Sequence, residues 1–372
     1  MSHLEARRER VYDCMAQEGV SMIMFEDAEG RRDPAVRWLT GQPGDALLFL
    51  TVDKQSILVP WDINMAKVYA DADFIVPYAE FCRQNIQAIL GAAEFLKVPY
   101  GSRIEIPMDT SYRMFLQFVD QVPDFDILCR TGGVHESVRE LRAIKDEAEI
   151  RIYRQVSEIT NEIIDLLEEK IRSETLKTET DTALFIEAEA RKRQCEGTGF
   201  ETLAAGPGRS FGIHAFPAYT DAVFAGPGLS ILDFGLKYQG YTTDVTLTFV
   251  RGPLTKQQEK LLSLTERAYK LALSMAADGI SAREMAAAVD ALFGKSGKAM
   301  PHALGHGIGL EAHEAPFLRN RSDNSSRLQA GMIFTLEPGL YHASQGGCRL
   351  ENDILLTDSG VEVLTRARIV RL

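Results

Sequence analysis

Residues 229–250 read LSILDFGLKYQGYTTDVTLTFV. Two largely apolar runs flank a centre that contains Gly235 and Gly240. This pattern predicts an antiparallel hairpin, because alternating residues around a glycine-containing turn suit paired strands. In the second strand Tyr241, Thr243, Val245, Leu247 and Phe249 share one face, and Thr242, Asp244, Thr246 and Thr248 share the other. A tip at Tyr238 and Gln239 sets Asp233 directly opposite Asp244, with Cβ atoms ~4.5–5.5 Å apart. Carboxylates that close repel each other unless a proton or a cation sits between them.

The arrangement recurs further on. Residues 333–341 read IFTLEPGLY and residues 348–357 read CRLENDILLT. A tip near Ser344 places Glu337 opposite Glu351. Both acids interrupt apolar strands, where an unpaired charge is costly. Ahead of this hairpin, residues 301–316 (PHALGHGIGLEAHEAP) hold His302, His306 and His313. Gly305, Gly307 and Gly309 argue against a regular helix, and so against a helical pair of histidine ligands. His214 lies in the Gly/Pro-rich stretch AGPGRSFGIHAFP. The chain has only seven histidines, so three within one short segment mark a site. Four carboxylates and an imidazole form a hard donor set. It suits a pair of divalent cations, Mn²⁺ first, with Co²⁺, Zn²⁺ or Fe²⁺ as competitors. Two such ions are a known hydrolytic device.

Composition sets the surroundings. The 372 residues suggest two domains. Acidic residues outnumber basic ones by 53 to 41, a formal charge of −12, which argues against a nucleic-acid or anionic-membrane binder. No apolar run reaches the ~18–20 residues of a membrane span. The charged N-terminus lacks the apolar core of a secretory signal and reads as an amphipathic helix. Five scattered cysteines with no CxxC pair argue against disulfides and thiolate zinc, so the expected setting is a reducing cytoplasm. Residues 1–135 alternate strands (20–25, 46–51, 56–60) with helical stretches such as 81–95, an α/β pattern. A break is expected at Thr131–Gly133. One long amphipathic helix is expected over 136–171, then another over 180–195. Two further helices start at Thr255 and Ser281, each followed three residues on by the Gln258 or Glu284 of a capping box. No internal repeat is evident.

The strings LDFG and GYTTD (within 232–244), HALGHGIGLEAHEAP (302–316), TLEPGLY (335–341) and GGCRLENDILLT (346–357) together closely resemble the pita-bread metallopeptidase family. The likeness is specifically to Xaa-Pro aminopeptidases and Xaa-Pro dipeptidases (prolidases). RELRAIKDEAEI (139–150) resembles the start of that family's catalytic-domain helix, and EGRRDPAVRWLTG (29–41) resembles its N-terminal domain more weakly. The resemblance implies an α/β N-terminal domain over 1–135 and an α+β pita-bread catalytic domain over 136–372. It implies cleavage of small peptides with proline at the second position, through attack by a hydroxide bridging two metal ions. Asp233, Asp244, His306, Glu337 and Glu351 match the metal ligands, with Asp244 and Glu351 at the bridging positions. Glu337 also matches the general base and acid. His214, His302 and His313 match the histidines around the substrate, and Arg349 matches a partner beside the bridging Glu351. A homodimer is implied too.

Four departures are expected near the substrate pocket: Leu247 for an Arg, Ala303 for a Gly, GPGRS (206–210) where an Asn is common, and Asn352 for an acid. They leave open an amide or C–N hydrolase of a small metabolite, as in ectoine-hydrolase or creatinase relatives. The intact ligand set argues against a metal-free creatinase and against a non-catalytic binding module.

Overall fold

The structure, a computed structural model, describes residues 2–372. The chain divides into two compact units, Met1–Leu141 and Arg142–Leu372.

The first unit is an α/β layer. Its strands are β1 (Met22–Asp27), β2 (Ala46–Thr51), β3 (Ser56–Pro60), β4 (Phe74–Ile75), β5 (Arg103–Glu105) and β6 (Asp126–Leu128). They form one mixed sheet in the order β4-β3-β2-β1-β5-β6. The central strands are apolar on both faces, as expected of a sheet covered by helices. The first strand starts two residues later than its sequence suggests. Gly19 (φ 65°) ends the His3–Glu18 helix in a left-handed turn, and the Val20 N–H still donates back to Met15 O. The helix expected from 81 starts at Asn85, because Tyr78–Phe81 forms a 3₁₀ turn and Cys82 and Arg83 have positive φ.

The long helix expected over 136–171 is two helices, Val134–Ala143 and Glu147–Arg172. Asp146 caps the second, accepting from the N–H groups of Ala148 and Glu149 while Glu149 reaches back to Asp146 N. The joint is also used by a strand: Lys145 N donates to Gly331 O, and Ile144 bridges Met332.

In the second unit the order helix, helix, hairpin occurs twice. Helices Glu147–Arg172 and Glu179–Lys192 precede β7 (Gly197–Thr198), β8 (Leu203–Ala205), β9 (Gly228–Phe234), β10 (Leu236–Tyr238), β11 (Tyr241–Thr242) and β12 (Val245–Arg251). Helices Lys256–Met275 and Ala282–Gly294 precede β13 (Gly305–Gly307), β14 (Glu314–Leu318), β15 (Ile333–Leu336), β16 (Gly339–His342), β17 (Gly346–Arg349), β18 (Asn352–Thr357), β19 (Gly360–Val363) and β20 (Ile369–Arg371). Thr255 makes the full capping box with Gln258, whereas Ser281 only accepts from Glu284 N. Leu232, Phe234, Val245, Leu247 and Phe249 turn one face of the first hairpin into the core formed by the first helix pair. Phe334, Leu336, Ile354 and Leu356 serve the second pair in the same way. The hairpins' other faces are left for polar residues. Among the described residues, no helix is long and apolar enough to cross a membrane.

Candidate active site

The first hairpin's tip is one residue later than its sequence suggests. Gln239 (φ 48°) and Gly240 (φ 88°) form the two-residue turn, and Tyr238 pairs with Tyr241. Two successive positive-φ residues suit a primed turn, where glycine is favoured second. Asp233 therefore faces Thr246, not Asp244. The error is two positions along the strand, so Asp244 keeps the face of Thr246 and is the diagonal neighbour of Asp233. In the second hairpin, Leu336 pairs with Asn352 on one side and Gly339 with Arg349 on the other. Glu337 and Glu351 occupy the matching positions between these ladders. The two hairpins meet at Thr246, which bridges Glu351 and receives its backbone N–H at 3.1 Å.

His306 sits in β13 between two glycines. A Cβ at Gly305 would run into the carbonyl oxygen of Thr335, and one at Gly307 into that of Ala315. The short strand thus fits between β14 and β15 only because those residues are glycine. His306 Nδ1 donates to Gly307 O at 3.1 Å, which leaves the Nε2 lone pair free. That lone pair faces Asp244 Oδ2 at 3.7 Å and Glu337 Oε1 at 3.6 Å. Donor atoms of Asp244, His306 and Glu351 all lie within 4.8 Å of one another. Asp233 and Glu337 stand outside this tight trio. Asp233 Oδ2 accepts from Arg349 Nη2 at 2.6 Å, while its Oδ1 is buried with no partner.

All nine candidate residues line one cavity of about 530 Å³, together with the apolar side chains of Phe200, Leu203, Ile213, Phe216 and Phe317. His214 and His313 are exposed to it, and the His313 ring lies 4.1 Å from that of His306. His302 is more committed. Its Nδ1 donates to Ala303 O at 2.8 Å, and its Nε2 accepts from Tyr341 OH at 3.0 Å.

Arg349 ties the cluster together. It donates to Asp233, to Thr246 Oγ1 (2.9 Å), to Tyr341 OH (2.7 Å) and to Ile213 O (3.1 Å). Thr246 Oγ1 in turn donates to Glu351 Oε2 at 2.7 Å. Tyr341 and Thr246 were not singled out by the sequence, although both alternate with proposed ligands along a strand. Glu314 was missed as well. It is buried beside His313, bonded to Arg142 and to Lys145 (2.7 Å), and these cations hold its carboxyl low despite burial. Asp353 is another omission; both its oxygens accept from Asp244 N.

The electrostatics are unbalanced. Burial, then Glu351 and Asp233, pushes Asp244 well above the usual carboxylate range. Burial and Glu351 raise Glu337, and burial and Asp233 push Glu351 up to about 7. Burial and His313 lower His306 to about 3, and burial lowers His302 to about 4. Acids that resist ionising, next to a histidine that resists protonation, are the condition a bound cation relieves. The unpartnered Asp233 Oδ1, the free His306 lone pair and the hard donor set therefore fit a divalent metal.

Only one of the four sequence departures lies at the cavity. Ala303 lines it. Leu247 belongs to the helix-facing core, Asn352 bonds Ala367 and Thr365 in the C-terminal segment, and Ser210 donates to Leu229 O.

Known proteins share this architecture. The sequence profile of metallopeptidase family M24 matches residues 151–358. An Xaa-Pro dipeptidase of Pyrococcus horikoshii is 26% identical, with 98% of each chain covered. The uncharacterized peptidase YqhT of Bacillus subtilis is 31% identical, with 89% of this chain and 91% of that protein covered. Among solved structures, the X-Pro aminopeptidase of Thermotoga maritima superposes with a TM-score of 0.84 at 25% identity, covering 98% and 99% of the two chains. The Xaa-Pro dipeptidase of Bacillus anthracis gives 0.85 at 25% identity, covering 99% and 100%. With its carboxylate and histidine cluster set on this fold, the chain belongs to metallopeptidase family M24.

Proposed function

We propose that this chain hydrolyses the bond preceding proline in small peptides. The carrying observation is the unprotonated His306 Nε2 facing the carboxylates of Asp244 and Glu337, in a cavity that also contains the orphaned Asp233 oxygen. The substrate class comes from the relatives, named as Xaa-Pro dipeptidase and X-Pro aminopeptidase. In this reading Asp233, Asp244, His306, Glu337 and Glu351 are the residues that would hold two divalent ions, Mn²⁺ before Co²⁺, Zn²⁺ or Fe²⁺. Such ions, when bound, polarise a carbonyl and make water more acidic.

The side chains do the remaining work. Glu337 accepts a proton from the attacking water and returns it to the leaving proline nitrogen. Glu337 lines the cavity beside His302 and His306, at 3.7 and 3.6 Å, where a carboxyl can reach the reacting water. His214 and His313 present rings to the cavity and hold the scissile carbonyl oxygen and the oxyanion that follows. His302, with both ring nitrogens engaged, offers its ring edge to the substrate. Tyr341 fixes that orientation.

The test is metal-dependent cleavage of Ala-Pro and of a longer Ala-Pro peptide, with Ala-Ala as control. Cleavage of either proline substrate, with Ala-Ala resistant, supports the reading. Folded, metal-loaded protein that cleaves neither points to an amide or C–N hydrolase of a small metabolite. The same reading carries a homodimer, the commonest closed oligomer, checked by sedimentation. It also carries a cytoplasmic setting, in keeping with the five free cysteines.

A further inference from the structure

The connection from β8 to β9, residues 206–227, contains no helix or strand. It exceeds the ~12–15 residues beyond which unstructured connections are uncommon and usually functional. It supplies one wall of the cavity, through Ile213, His214, Ala215, Phe216 and Ala218. Ala215 packs against the small cluster of Leu203, Ala205 and Ile231, whereas Phe216 is 96% exposed.

Two neighbouring residues from outside the loop hold its neck: Thr180, whose N–H and Oγ1 donate to Thr220 O at 2.9 and 2.8 Å, and Glu179, whose carboxylate reaches both ends. Glu179, the first residue of the Glu179–Lys192 helix, is 0% exposed. It does not cap that helix; Thr178 and Asp181 do. Its Oε1 accepts from Gly206 N at 2.7 Å and from Arg209 Nε at 3.2 Å. Its Oε2 accepts from Thr220 N at 2.8 Å and Thr220 Oγ1 at 2.7 Å. One carboxylate thus joins positions 206 and 220, the two ends of the segment that carries the wall. Arg209 extends the tie by donating to Pro217 O. Gly206 permits the approach, as a Cβ there would run into Val223 O. The apex is anchored separately, by the Arg349 bond to Ile213 O.

We propose that Glu179 is a positioning residue that sets substrate selectivity, by pinching the 206–220 loop so that its apolar wall meets the residue ahead of proline. This rests on the Xaa-Pro reading above. The test compares Leu-Pro with Gly-Pro as substrates in the metal-loaded wild type, Glu179→Ala and Thr220→Ala, with chymotrypsin cleavage after Phe211 followed in parallel. Hydrogen bonds to a charged group justify an expected fall of about tenfold in the Leu-Pro to Gly-Pro ratio of kcat/KM for Glu179→Ala. The loss should lie mainly in KM for Leu-Pro, with metal content unchanged and faster loop cleavage. Thr220→Ala, which leaves the acid in place, should move both readouts the same way by a smaller factor, and it serves if Glu179→Ala does not fold. An unchanged ratio and unchanged loop cleavage in a folded, metal-loaded variant overturn the proposal. If the wild type cuts no Xaa-Pro substrate, the substrate reading fails by itself. The clamp is then judged on chymotrypsin cleavage alone, where an unchanged rate overturns it.

Discussion

Metal binding by this protein should displace protons from carboxylates and none from histidine. Glu351 is pushed up to about 7 by burial and by Asp233, and Asp244 and Glu337 are raised with it. His306, lowered to about 3, is already deprotonated above pH 4. Below pH 7, then, a metal must drive at least one proton off the acidic cluster before it binds. Two pH units below the Glu351 value, one proton costs about 100-fold in apparent affinity, or about 3 kcal/mol. Further protons on Asp244 and Glu337 make the dependence steeper.

The sign can be followed from the metal-free protein. A carboxylate with a raised folded-state pKa contributes stability that is complete below its unfolded value of ~4.5 and is lost as pH rises through its folded value. That loss runs to about pH 7 for Glu351, and bound metal removes it. The depressed values of His302 and His306 act the other way, losing stability as pH falls below ~6.5. They do so with or without metal, so they cancel in the difference. The rise in Tm on adding Mn²⁺ should therefore grow from pH 5 to pH 7.5 and then level off. Calorimetric titration at pH 6 in two buffers of different ionisation enthalpy should show net proton release. An equal rise in Tm at pH 5 and pH 7.5, or no proton release at pH 6, would refute the reasoning.

Three substitutions probe individual links. Glu337→Gln should lower kcat by about 10²–10⁴ while most metal binding survives, as expected for loss of a general base; near wild-type turnover would remove Glu337 from that role. Arg349→Met removes the buried cation beside the partly buried Asp233, so urea unfolding of metal-free protein should show a loss of about 3 kcal/mol, the lower end expected when a buried pair loses one partner. A midpoint within error of wild type would show that Arg349 is not balancing Asp233. Gly307→Ala forces a methyl group against Ala315 O; overpacking of about 1–3 kcal/mol should displace His306 and weaken Mn²⁺ binding. Unaltered Mn²⁺ affinity in that variant would mean the strand has room that the structure does not show.

The hairpins were legible because their apolar residues recur with period two, as in Val245, Leu247 and Phe249, all of which enter the core. Register was harder, since it depends on where the chain turns. Glycine at the second turn position was the available signal, and it places Gln239–Gly240 at the tip. The break at Ala143–Glu147 was also written in the sequence, as Asp146 followed by Glu149. An uninterrupted stripe of apolar residues masked it. The repeated helix–helix–hairpin order left no trace, because it repeats a backbone path and not side chains. Thr246, Tyr341 and Glu179 were out of reach for a different reason. Each is an ordinary residue whose importance lies in partners many positions away, such as Glu351, His302 and Thr220.

The departures from the family pattern gain meaning from their positions. Leu247 replaces a charged residue, yet it points into the core beneath the first helix pair, where an aliphatic side chain needs no partner. Asn352 replaces an acid, and its amide both donates to Ala367 O and accepts from Ala367 N and Thr365. A carboxylate there could not make the donated bond, so the amide suits the way this chain folds its C-terminal segment back. Neither change bears on which peptide is cut. Ala303 does, since it lines the cavity and its carbonyl fixes the His302 ring. The loop of residues 206–220 bears on it too, through the wall it carries. On the reading proposed above, substrate choice is separated from metal binding: four of the five proposed ligands stand on the paired hairpins and His306 on β13, whereas the proposed selective surface stands on a loop tied at its neck by Glu179.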